Sequence, residues 1–102
     1  MHAPSKAELS AMVEEATIDA YDEEEQLMGF ASLIEENVAV PFETTVLGVK
    51  VTVTRIGQES RRMVAHCTRG KHRQAISLLD LPLPEPPPQG AEWIAAYRHW
   101  AR

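Results

Sequence analysis

Residues 19–42 read DAYDEEEQLMGFASLIEENVAVPF, and the hydrophobic period changes within this stretch. Leu27, Phe30, Ala31, Ile34 and Val38 recur at helical spacing, with Met28 and Leu33 on the flanks. That spacing predicts an amphipathic helix over roughly 22–37. Asp22 stands where an N-cap belongs, and Glu23, Glu24 and Glu25 complement the helix dipole in the first turn. Gly29 costs about 1 kcal/mol relative to alanine in mid-helix, so it is read as permitting close approach of another element. Asn37 is a suitable C-cap, and Pro41 excludes further helix. Beyond it the period becomes two, the mark of strands.

Working upstream, Ser5 and Glu8 form a capping box, and Leu9, Met12, Val13 and Ala16 repeat as one apolar helical stripe. Thr17-Ile18 weaken that helix, and a bend or fresh start is expected between Asp19 and Asp22. Downstream, Phe42–Leu47 and Val49–Thr54 read as strands, with Gly48 in the turn and Val49, Val51 and Val53 on one face. Gly57–Ser60 reads as a loop, Arg62–Arg69 as a third strand and His72–Leu79 as a fourth, joined by a tight turn at Gly70. Pro82–Pro88 cannot sit centrally in a sheet and is expected to run as a polyproline strap. Ala91–Trp100 returns to helical spacing, with Trp93, Ile94, Tyr97 and Trp100 on one stripe. The reading is an α+β fold, in which N-terminal helices and a C-terminal helix pack on a small SH3-like antiparallel β-barrel. One domain over 1–102 is expected: acidic helices over 1–40, barrel over 41–80, strap over 81–90 and last helix over 91–102.

With 102 residues, 44% hydrophobic content and 25% charged residues, the chain suits one modest core and argues against general disorder. No apolar run is long enough to span a bilayer, so no membrane association is expected. The N-terminus lacks the basic and apolar regions of a signal peptide, and Cys67 is the only cysteine. Both point to the cytoplasm. The net charge of −5 is unevenly placed. Residues 1–43 carry eleven acids against Lys6 alone, whereas residues 44–73 carry seven bases against Glu59 alone. Two such halves attract one another within one small fold.

The acids are the first candidate for chemistry. Dense carboxylates are solvated, repel one another or hold a hard cation such as Ca²⁺. Glu24 and Glu35 share a helix face, as do Glu25 and Glu36, but eleven residues rise about 16 Å, too far for one ion. A tight site would need oxygens from another element, such as Asp19, Glu43, Asp80 or Glu92. No EF-hand loop is present. His66-Cys67 would point to opposite faces of a strand and make no zinc site alone. No nucleophile elbow or phosphate loop suggests an enzyme. Arg61, Arg62, Arg69, Lys71 and Arg73 fall near the ends of one hairpin, where phosphate could bind. The acidic balance and the lack of stacking aromatics argue against nucleic acid. A non-catalytic interaction module, with a protein partner held by the barrel, strap or basic hairpin, is the alternative reading.

The acidic segment resembles the CcbP-type calcium-binding family. The residues that carry the likeness are Asp19-Ala20-Tyr21, Glu24-Glu25-Gln26, Met28-Gly29-Phe30, Glu35-Glu36 and Pro41-Phe42, in register without a gap. The resemblance implies a small acidic, non-enzymatic protein that binds Ca²⁺ without an EF-hand. It makes Asp19, Glu24, Glu25, Glu35 and Glu36 candidate ligands, and local density adds Asp22 and Glu23. The C-terminal helix departs from the family pattern, with Ala96 in place of an acid and Arg98 as an added base. Low-affinity binding, for buffering or sensing, is the resulting expectation.

Overall fold

A computed structural model describes residues 3–102; Met1 and His2 lie outside the described residues. Ser5 opens helix α1 (Lys6–Ala16). Its hydroxyl accepts from the Glu8 N–H at 3.1 Å and Glu8 Oε1 accepts from the Ser5 N–H at 3.1 Å, so both halves of the capping box form. The β-branched pair at 17–18 falls in the turn that ends α1. Asp22 Oδ1 accepts from the Glu25 N–H at 2.8 Å and starts α2 (Glu23–Asn37). Leu27, Phe30, Ala31, Ile34 and Val38 are all buried, as their spacing requires. Asn37 closes α2 through its side chain, whose amide donates to the Leu33 carbonyl, while the cap position itself is Val38.

Gly29 is where the two helices meet. A Cβ there would stand 1.9 Å from the carbonyl oxygen of Ala16, the last residue of α1. Only a glycine lets that backbone approach. Gly90 plays the same part at the other end of α2: its φ is 85°, and a Cβ would stand 1.9 Å from the Asn37 carbonyl oxygen. Gly90 is the N-cap of α3 (Ala91–Ala101).

Four antiparallel strands follow α2: β1 (Phe42–Val46), β2 (Val49–Glu59), β3 (Arg62–Arg69) and β4 (His72–Ser77). Their order in the sheet is the order in the chain. The α+β class and the meander agree with the sequence reading, but the sheet stays open, with β1 and β4 as its two edges. The expected barrel therefore does not close by strand pairing. A physical reason lies beside β1, where the Thr44 hydroxyl donates to the Pro82 carbonyl at 2.6 Å and the 81–90 segment takes up the space. Prolines have no N–H to extend a ladder.

The expected loop at Gly57–Ser60 is also revised. β2 runs through Gly57 to Glu59, and the chain reverses at Ser60, whose φ is 58°. A register shift between Val53 and Arg55 leaves Thr54 as an extra residue, so pairing resumes with Arg55 opposite His66.

Apolar residues from α2, β2, β3 and α3 share one core with Ala16 of α1, and Leu9, Met12 and Val13 are half-buried against it. Phe30, Tyr97 and Trp100 form an aromatic cluster between α2 and α3, with ring centroids 5.2–6.0 Å apart. Two of the three rings are also hydrogen-bonded: Tyr97 Oη accepts from the Met63 N–H at 3.3 Å, and Trp100 Nε1 donates to Gln26 Oε1 at 2.9 Å. Cys67 is buried on the core face of β3, and that burial raises its thiol above the ordinary value of 9.0.

Two expectations follow. Gly29→Ala gains helix propensity worth about 1 kcal/mol but drives a methyl group into the Ala16 carbonyl. Overpacking of this kind costs about 1–3 kcal/mol, and both colliding groups belong to helical backbone, so the clash wins. A lower denaturant midpoint with α1 released first, seen by amide exchange, is the expected result. For Cys67, the folded thiol holds its proton to higher pH than the unfolded thiol does. Its contribution to stability is full at neutral pH and declines as the pH rises past 9. Native protein at pH 7.5 is expected to resist maleimide labelling, with rapid reaction only after unfolding.

Candidate functional site

The first turn of α2 forms one wall of a cleft of about 880 Å³. Asp22, Glu23 and Glu24 line that wall, and Arg61 and Arg62, at the turn between β2 and β3, line the other. Leu27, Leu79, Tyr97 and Trp100 supply apolar surface between them. The cleft exists because Gln26 and Phe30 dock α2 on the α3 aromatics while Tyr97 holds the start of β3. Packing contacts and acids thus alternate along a single helix.

All seven candidate carboxylates, Asp19, Asp22, Glu23, Glu24, Glu25, Glu35 and Glu36, are exposed. The structure brings only three of them together around the cleft. Asp19 sits in the α1–α2 turn with a left-handed φ of 61°, and Glu25, though in the first turn of α2, lies outside the cleft. Because α2 is continuous, Glu24 and Glu35 remain separated by about 16 Å along its axis. Glu35 lies instead beside β2, with Oε1 3.9 Å from the point where a Cβ on Gly57 would be. One oxygen of Asp22 is committed to the N-cap. None of the seven forms an ion pair with a described base.

The fit to a bound cation is therefore poor as the chain stands. Among the described residues, no three Asp, Glu, His or Cys side chains converge closely enough to hold a metal ion. Ca²⁺ takes six to eight oxygens at about 2.3–2.6 Å, and two guanidinium groups share the cleft with three of the carboxylates. The remaining acids offered by the sequence reading do not fill the gap: Glu43 is engaged by Lys50 at 4.0 Å on β1–β2, and neither Asp80 nor Glu92 lines the cleft.

Two residues flagged as departures from the family pattern prove to be structural. Ala96 is fully buried in the core. Arg98 does not face the acidic wall: its Nε donates to the Leu78 carbonyl at 3.0 Å and its Nη2 to the Leu81 carbonyl. Burial and the charge of Arg102 lower its pKa, with Asp80 opposing them. The base ties α3 to the chain that leaves β4.

The five bases expected near the ends of one hairpin do lie at its ends, and the ends are far apart. Arg61 and Arg62 are at one end of β3, whereas Arg69, Lys71 and Arg73 are at the other, about 23 Å away at strand rise. No single phosphate-binding patch results. His66 and Cys67 point to opposite faces, as strand geometry requires, with Cys67 buried and His66 half-exposed. Arg61 and Arg62 line the same cleft as the acidic first turn of α2, in keeping with the expected attraction between the acidic and basic halves of the chain. The opposed charges of the two chain halves were the available signal, but they named no partner pair.

A family model described as calcium binding, Calci_bind_CcbP, matches residues 11–101, nearly the whole chain. No curated protein and no solved structure matches it. No helix of the described residues is long and apolar enough to cross a membrane.

If Arg98 is structural, its loss should cost stability and leave cation binding alone. Arg98→Met removes two hydrogen bonds from a charged donor, worth about 1.5–3 kcal/mol each, while retaining much of the apolar stem. A fall in denaturant midpoint with an unchanged Ca²⁺ titration below that midpoint is the expected pair of results.

Proposed function

The chain belongs to the CcbP calcium-binding family, and on that premise we propose that it is a low-affinity Ca²⁺ buffer or sensor whose ligands are exposed helix carboxylates. Calcium is the ion the family binds, and the family points to a non-enzymatic role. The observation that carries the finer reading is the state of the acids. Seven carboxylates within residues 19–36 are exposed, and none is spent on an ion pair with a described base. Motif residues beside them are accounted for by packing: Gln26 by Trp100, Gly29 by Ala16 and Phe30 by the core. Asp19, Glu24, Glu25, Glu35 and Glu36 have no comparable structural task. Tyr21 is 89% exposed and has none either.

Asp19, Asp22, Glu23, Glu24 and Glu25 are the stronger half of this proposed set, and Glu35 and Glu36 are a separate, weaker one. Low affinity has physical grounds. The acids are held apart, so water must complete any coordination shell, and ordering exposed side chains costs entropy. The α2 N-terminus carries a partial positive charge, and Arg61 and Arg62 add two full ones across the cleft. The lone buried thiol of Cys67 suits a reducing compartment such as the cytoplasm.

Calorimetric titration with Ca²⁺ and with Mg²⁺, alongside amide shifts, tests the reading. Saturable Ca²⁺ binding with Kd on the order of 10⁻⁴–10⁻³ M is expected. Glu24→Gln combined with Glu25→Gln should weaken it at least roughly tenfold, a loss of about 1.4 kcal/mol. Glu35→Gln with Glu36→Gln should do less. Absence of heat and of amide shifts at millimolar Ca²⁺ would sink the proposal, and an unaffected Glu24/Glu25 double variant would defeat the ligand assignment alone.

A further inference from the structure

We propose that His66 is a proton-operated latch that passes the Arg55 guanidinium from the sheet to Glu35 of α2. The bulge at Thr54 makes the arrangement possible by setting Arg55 of β2 directly opposite His66 of β3. Thr54 Oγ1 donates to the His66 carbonyl at 3.2 Å and pins the pair. Arg55 Nη2 then lies 2.9 Å from His66 Nε2. A guanidinium has donors only, so Nε2 must be the acceptor. The ring is therefore neutral, with its proton on Nδ1.

The same Nε2 stands 3.6 Å from Glu59 Oε2, just beyond hydrogen-bond length. Uptake of one proton from solvent at Nε2 reverses its allegiance. The nitrogen loses its lone pair, becomes a like charge beside Arg55 and gains a donor facing Glu59. Arg55 then has another anion within reach. A Cβ on Gly57 would touch Arg55 Nη1 at 2.9 Å and Glu35 Oε1 at 3.9 Å, so both groups border the open space over that glycine. Distances of 2.9 and 3.9 Å from the same point place the two groups no more than 6.8 Å apart, within reach of a side-chain rotation that would pair them.

The other charges that face His66 set the balance. Arg62 lies opposite Glu59 and competes for it, and Arg73 of β4, paired with Thr68, opposes a second positive charge nearby. Ala75, directly opposite His66 on β4, brings none. Glu59 and Glu35 are the two carboxylates that gain. In the neutral state α2 is free of the latch, and in the protonated state its C-terminal half is tied to β2. Glu35 is thereby withdrawn from the free acids of α2 as the pH falls. The exchange involves no ion and stands apart from the calcium reading.

The test is a titration of isotope-labelled protein without Ca²⁺ over about pH 8 to 5, where histidines change charge. The imidazole nitrogens of His66, the Arg55 guanidinium and the Glu35 carboxyl carbon are followed together. At high pH, Nε2 should be the unprotonated nitrogen, and on acidification Arg55 and Glu35 should shift with the midpoint of His66. In His66→Gln that shared step should vanish while helix content is retained. In Glu35→Gln the Arg55 shift should shrink while the imidazole still titrates. An Nε2–H tautomer at high pH, or Arg55 and Glu35 unmoved while His66 titrates, overturns the proposal on the wild-type protein alone.

Discussion

Two helix-terminal carbonyls resting on two glycines set the geometry on which everything else depends. The last carbonyls of any helix lack intrahelical partners, so where they point is a structural decision. At the end of α1, Ala16 directs its oxygen onto Gly29; at the end of α2, Asn37 directs its oxygen onto Gly90. Both contacts require backbone to touch backbone, closer than any side chain allows. They fix how α1 crosses α2 and how α3 begins against the end of α2. With those crossings set, Phe30, Tyr97 and Trp100 meet, and Trp100 reaches Gln26. The acidic first turn of α2 is then held facing Arg61 and Arg62. A backbone constraint in the middle of α2 thus determines what its charged end confronts.

The parts of this arrangement legible in sequence were those encoded locally. The capping box at Ser5–Glu8, the N-cap at Asp22, the buried face of α2 and the need for a close approach at Gly29 all follow from residue type and spacing. The length of β2 did not, because Gly57 carries the same signal in a turn as in a strand whose neighbouring side chain lies across it. Barrel closure was equally hidden: period-two alternation is identical in an open meander and a closed one. The difference lies in a long-range competitor, the segment after Leu81, which binds Thr44 of β1. For the candidate site, exposure of the acids could be read from the sequence and convergence could not. Arg98 shows the limit well, since a base in a motif position looked electrostatic and proves to be bonded to two main-chain carbonyls.

Alternation of task along α2 separates the motif residues that pack from those that stay exposed. Within Glu24–Phe30, Gln26, Gly29 and Phe30 face neighbouring elements, whereas Glu24, Glu25 and Met28 face solvent. Each inward residue meets a packing demand of its own, which accounts for this part of the segment without any ligand. The acids are different. Neither burial nor an ion pair with a described base requires them, although Glu23, Glu24 and Glu25 all lie in the first turn, where the helix dipole favours them.

The charge layout argues further that cation binding and fold stability pull against each other in this chain. Arg61 and Arg62 share the cleft with Asp22, Glu23 and Glu24 without forming an ion pair, and opposite charges so placed attract only weakly through water. The same two charges repel any cation that approaches those acids. Attraction at that separation is screened over about 8–10 Å at physiological ionic strength, so the compromise is mild in salt and stronger in dilute buffer. Glu35 and Glu36, on the far half of α2, escape Arg61 and Arg62 but have Arg55 of β2 near Glu35. Each half of the acidic helix is therefore matched by a guanidinium group that faces it without pairing. A chain so arranged stays folded with its acids unpaired and available, and the same counter-charges cap how tightly any cation can be held.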